Sequence, residues 1–75
     1  MPRQNLLPFL KYLARFRAIL LQIDLLEQTA VHLRGDLQEQ MYTYIQRQRV
    51  VKRWLKREIV SLGRTLGVRA RDLPI

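Results

Sequence analysis

Between Arg47 and Arg57 the chain carries Arg47, Arg49, Lys52, Arg53, Lys56 and Arg57 with no acidic residue among them, and Arg64 continues the series. Guanidinium and ammonium groups at this density do one kind of chemistry well, which is to hold anions. The planar fork of arginine makes paired hydrogen bonds to a phosphate, and a cluster without carboxylates repels itself until a polyanion compensates it. On a helical wheel at about 100° per residue, Arg49, Lys52, Arg53, Lys56, Arg57 and Arg64 share an arc of roughly 140°. With Arg47 they form the candidate site for DNA or RNA phosphates. If about five or six phosphates were neutralised, binding to duplex DNA would weaken with salt at a log–log slope near −5. Over the whole chain 14 basic residues face 6 acidic ones, a net charge of +8. That imbalance favours an anionic partner without choosing among nucleic acid, an acidic protein and a membrane headgroup layer.

Other chemistry has little to work with. Cysteine is absent and His32 is the lone histidine, so neither a thiolate nor an imidazole cluster is available for a metal. Glu27 and His32 do not share a helix face, unlike the Glu-x-x-His pairs of carboxylate-bridged metal bundles. Ser61 is the lone serine, and no glycine-rich phosphate loop occurs. The expectation is a non-enzymatic protein with no catalytic residue, cofactor, metal or small-molecule substrate. His32, near the end of the first helix, is read as a surface residue that favours the helix dipole. Glu27 is expected to meet the Tyr44 hydroxyl, and Glu58 an N-terminal lysine or arginine such as Lys11, so that both carboxylates, with Gln48, fix the register of neighbouring helices. Trp54 sits at the margin of the apolar arc and is read as a lid or interface anchor in preference to a base-stacking platform.

The elements that must position these side chains follow from the helix breakers. Proline occurs at positions 2, 8 and 74 and glycine at 35, 63 and 67, leaving two long uninterrupted segments. The fold class is all-α, an antiparallel hairpin of two long helices in a single small domain spanning residues 1–75. Helix 1 is predicted over about 5–34, with Asn5 as its cap and Pro8 in the first turn. The turn lies at Gly35-Asp36, where Gly35 ends helix 1 and Asp36 with Glu39 makes a capping box for the next. Helix 2 covers about 37–66, and residues 67–75 form a short tail. Residue numbers facing each other then add to about 71, so Ile23 meets Gln48, Phe16 meets Leu55 and Tyr12 meets Ile59.

Tyr12, Phe16, Ile19, Ile23, Leu26, Ala30 and Leu33 recur at alternating intervals of four and three, the spacing of a packing seam. Phe9, Leu13 and Leu20 line a neighbouring stripe, while Leu7, Leu10, Leu21 and Leu25 face away from both. Helix 2 is two-faced instead, with Leu37, Met41, Tyr44, Val51, Leu55, Ile59, Leu62 and Leu66 within roughly 100° of arc. A helix apolar nearly all round is usually buried, and one partner helix covers only part of it. Leu10, Phe16, Leu21, Ile23 and Leu25 are therefore the candidate assembly interface, through which two hairpins would pair as a four-helix bundle with the basic helices outside. The alternative is a structural or adaptor subunit whose helix 1 is covered by other proteins. A peripheral contact with anionic lipid is a third and weaker reading.

No apolar run reaches the roughly 18–20 residues that cross a bilayer, because Lys11, Arg15, Arg17, Asp24 and Glu27 interrupt it. The basic N-terminal segment superficially matches a mitochondrial presequence but lacks serine and runs on into the apolar pattern. The expected location is the cytoplasm or another reducing compartment.

Overall fold

The computed structural model describes the backbone of residues 3–75 and the side chains from Leu6 onward. Two helices, α1 (Arg3–Ala30) and α2 (Gly35–Thr65), lie antiparallel in a body 52 × 18 × 14 Å, and a single 3-10 turn over Ala70–Asp72 ends the fold. The chain is thus an all-α helical hairpin. No described helix is long and apolar enough to cross a membrane.

The seam forms because both helices repeat their apolar residues at heptad spacing. On α1, Phe9, Phe16, Ile19, Ile23 and Ala30 are buried, and Tyr12 and Leu26 pack against them. On α2 the inward series is Met41, Ile45, Gln48, Lys52, Leu55, Ile59, Leu62 and Leu66, in which Ile45, Leu55 and Ile59 are fully buried. Phe16 and Leu55 meet in one core, as the expected register requires. Burying each large apolar side chain contributes about 1.5–3 kcal/mol, so these few residues supply much of the stability of a small domain.

Several boundaries and partners differ from expectation. The backbone is already helical at Arg3, which places Asn5 inside α1 and Pro8 beyond its first turn. At the other end α1 stops at Ala30 rather than Arg34. The Leu33 and His32 amides bond back to Ala30 and Thr29, closing a tight turn, while the Gln38 amide of α2 donates to the Ala30 carbonyl at 2.9 Å. Residues 31–34 make the connection, and Leu33 remains half-buried there without being helical. Gly35 does adopt a left-handed φ of 64°, but it opens α2 instead of closing α1. The Asp36–Glu39 capping box does not form: Arg34 holds the N-cap position in an extended conformation without a side-chain bond. Leu37 and Tyr44, expected in the seam, are exposed, and Ile45 takes the inward position. The reason is that Gln38, Gln48 and Lys52 occupy seam positions, so polar residues interrupt the apolar period where it is actually buried.

The tail is more than a loose end. Gly67, at φ 82°, follows the last turn of α2 and lets the Gly67 and Val68 amides bond to Arg64 and Gly63. This reciprocal pair satisfies carbonyls that a helix C-terminus otherwise leaves without partners. The chain then turns so that Leu73 is buried against Gly63 and Phe9, closing the open end of the hairpin.

These contacts separate the glycines by their tolerance of a side chain. A β-carbon on Gly63 would rest in ordinary contact, 3.5 Å from Leu73 Cδ1 and 3.6 Å from Phe9 Cε2. Gly63→Ala is therefore expected to be neutral or to stabilise the helix by up to about 1 kcal/mol. Gly67→Ala, forced into a left-handed backbone, should cost about 1–2 kcal/mol. Thermal melts monitored by circular dichroism would resolve the two, at roughly 4–8 °C per kcal/mol.

Candidate anion-binding surface

Helix periodicity sends the basic residues of α2 to its outer side, but not to one place. Arg53, Lys56, Arg57 and Arg64 gather around an open groove of about 420 Å³, with Val60 and Ser61 completing its lining. Arg53 and Arg64 are about 16 Å apart along the axis at 1.5 Å per residue. None of the six Asp and Glu side chains lines this groove. An anion there meets converging donors over a partly apolar floor, with no local carboxylate to compete.

The remaining predicted site residues lie elsewhere. Arg49 donates to the Glu27 carboxylate of α1 in an ion pair that ties the two helices together. Glu27 therefore pairs with Arg49 rather than Tyr44, whose hydroxyl accepts a bond from Gln22. Lys52 is half-buried at a seam position. Arg47 is exposed toward the middle of α2, at one end of a hollow of mixed sign shared with Asp36 and Glu39. Of the seven basic residues singled out in the sequence, four form the groove. No ion pair joins Glu58 to Lys11.

One addition was hidden from the helical wheel. Because the tail turns at Gly67, Arg69 comes to line a second hollow of about 420 Å³ together with Arg64. Arg64 thus belongs to both depressions, and the positive surface continues around the end of α2. Arg69 is also within 3.7 Å of Asp72, which offsets part of its charge. Along α2 as a whole, Asp36 stands in the first turn and Arg64 in the last, the arrangement its dipole favours.

The candidate assembly residues divide as well. Phe16 and Ile23 are buried inside the hairpin and have no surface to offer a second molecule. Leu10, Leu21 and Leu25 are exposed, and with Leu7 they range from 49% to 74%. On the wheel they lie about 170° from the hairpin seam. Ala14 and Ala18 occupy the same outer stripe and are also exposed. Among the described residues no group of three or more acidic or histidine side chains could hold a metal ion. His32 is exposed in the connecting turn. No protein family, curated protein or solved structure matches the chain.

The Glu27–Arg49 pair is about two-fifths exposed on both sides, so solvent screens it. Glu27→Gln should lower stability by less than about 1 kcal/mol in denaturant melts, with a double-mutant cycle against Arg49→Ala giving a coupling of the same size. A loss of several kcal/mol would show that the pair does more than bridge the surface.

Proposed function

We propose that this chain is a small non-enzymatic helical protein that pairs with a second copy through the outer stripe of α1 and holds nucleic-acid phosphates on the basic side of α2. The observation that carries the reading is the groove at Arg53, Lys56, Arg57 and Arg64, where four cationic side chains converge without a carboxylate. Like charges held this close destabilise the empty protein, and a bound polyanion relieves the repulsion. The contacts are to phosphate and carry little sequence information.

Self-association is supported by the exposed leucines. Covering Leu7, Leu10, Leu21 and Leu25 of two chains is worth on the order of 10 kcal/mol, against an association cost of about 4–15 kcal/mol. Such a pair is concentration-dependent. Because the stripe is opposite the seam, pairing through α1 places the helices side by side in the order α2, α1, α1, α2. The product is a flat layer rather than a square bundle, with a basic helix along each outer edge. The same leucines support a second reading, a structural or adaptor subunit whose α1 is covered by a different protein.

Binding to duplex DNA should weaken with salt at a log–log slope near −3.5, about −0.9 for each of four phosphates. That is shallower than the sequence suggests, because Arg49 and Lys52 are drawn inward and Arg47 lies apart. Arg53→Glu with Arg57→Glu should abolish binding and leave the oligomeric state unchanged. Leu21→Glu with Leu25→Glu should do the reverse, giving a monomer by light scattering with its groove intact. Salt-insensitive binding would contradict the phosphate reading, and a monomer at all concentrations would favour the adaptor.

A further inference from the structure

Trp54 is the lone tryptophan of the chain and remains 46% exposed. Its ring is nevertheless not free to wander. Tyr12 of α1 packs against it edge to face, with centroids 5.6 Å apart and planes at 73°. The expectation of a lid over the core accounts for that contact and leaves the exposed part of the ring without a role. Arg47, Val50, Trp54, Arg57 and Ser61 recur at intervals of three and four, so they form one outward stripe of α2. Val50 is likewise exposed, and Arg57 belongs to the basic groove. Arg53, adjacent in sequence, supplies a second guanidinium to that groove. The ring is thus an accessible aromatic surface with Arg57 and Glu58 one turn further along the helix, and neither Arg53 nor Arg57 is held in an ion pair among the described residues.

From this we infer that Trp54 is a stacking platform for an unpaired base, with Arg53 and Arg57 holding the adjoining phosphates, so that the preferred nucleic acid is single-stranded. The inference rests on the phosphate reading above and sharpens it. A duplex keeps its bases stacked on one another and offers the ring only sugar and phosphate, whereas a single strand can turn a base out onto it. Stacking needs no particular base, since each presents a π face, so the added affinity is tolerant of sequence. The Tyr12 contact lowers the entropic cost by fixing the ring before the base arrives.

Trp54 is also the reporter. The full chain at low salt would be titrated with an oligouridylate of about 20 nucleotides, with a DNA duplex of equal charge, and with inorganic polyphosphate, which has charge but no bases. The expected result is strong quenching of tryptophan emission by the single strand and little by either of the others. In titration calorimetry, which needs no tryptophan in the variants, Trp54→Ala should weaken oligouridylate binding by roughly 5- to 150-fold, the range for loss of one base–aromatic stack, while polyphosphate affinity stays unchanged. Trp54→Phe, which retains an aromatic face against Tyr12, should remain within roughly threefold of the parent and guards against misfolding of the alanine variant. Oligouridylate binding that neither quenches Trp54 nor responds to Trp54→Ala would overturn the stacking role while leaving the phosphate groove standing. Tighter binding of the duplex than of the single strand would overturn the stated preference. Failure of all three polyanions to bind would remove the phosphate reading itself, and this inference with it.

Discussion

One helix can shelter only one side of another, and this limit governs the molecule. The heptad seam from Phe9 to Ala30 is met by the series from Met41 to Leu66, and their contact is complete within a single chain. Nothing remains on α2 to cover the leucines that point the other way. A hairpin of this length therefore solves the burial of one apolar stripe and leaves the second in water. The tail does not change this, because Leu73 folds over Gly63 and Phe9 and so extends the seam already covered.

The same geometry decides where charge accumulates. Since α2 faces α1 with its apolar arc, its arginines must lie on the outside or at the rim. Those at the rim are less available: Arg49 reaches Glu27, and Lys52 is half-buried. Those on the outside line a groove toward the end of α2 remote from the turn, and no carboxylate shares that lining. Asp36 and Glu39 share a hollow of mixed sign with Arg47 in the first half of α2, whereas the groove at Arg53 to Arg64 is lined by cations alone among its charged residues.

Apolar and basic surfaces therefore occupy opposite edges, the leucines on the back of α1 and the cations on the back of α2. Neither edge has to give way for the other to be used. Trp54 stands between these roles, contributing one part of its ring to the interhelical contact with Tyr12 and leaving another part in solvent. A residue read only as core or only as surface would miss that division.

Periodicity and helix breakers were enough to establish an all-α hairpin, the α1 seam, the presence of spare leucines and the basic character of α2, because each is a property of one helix taken alone. What they could not supply was anything depending on how two helices rotate and slide against each other. Hydrophobicity finds most of the inward face of α2, from Met41 to Leu66, but the seam also runs through Gln38, Gln48 and Lys52, so periodicity turns Leu37 and Tyr44 inward and misses Ile45. Phe16 and Ile23 lie on both apolar stripes of a wheel, and only packing against Leu55 and its neighbours assigns them to the interior. The partner of Glu27 depends on how long side chains reach across the rim, where Arg49 takes Glu27 and Tyr44 is left to Gln22. Likewise, Arg69 joins Arg64 because a left-handed glycine reverses the chain after α2, a three-dimensional event with no periodic trace in the residues. Local spacing fixes which face each side chain occupies, and the relative placement of the faces decides which of them meet.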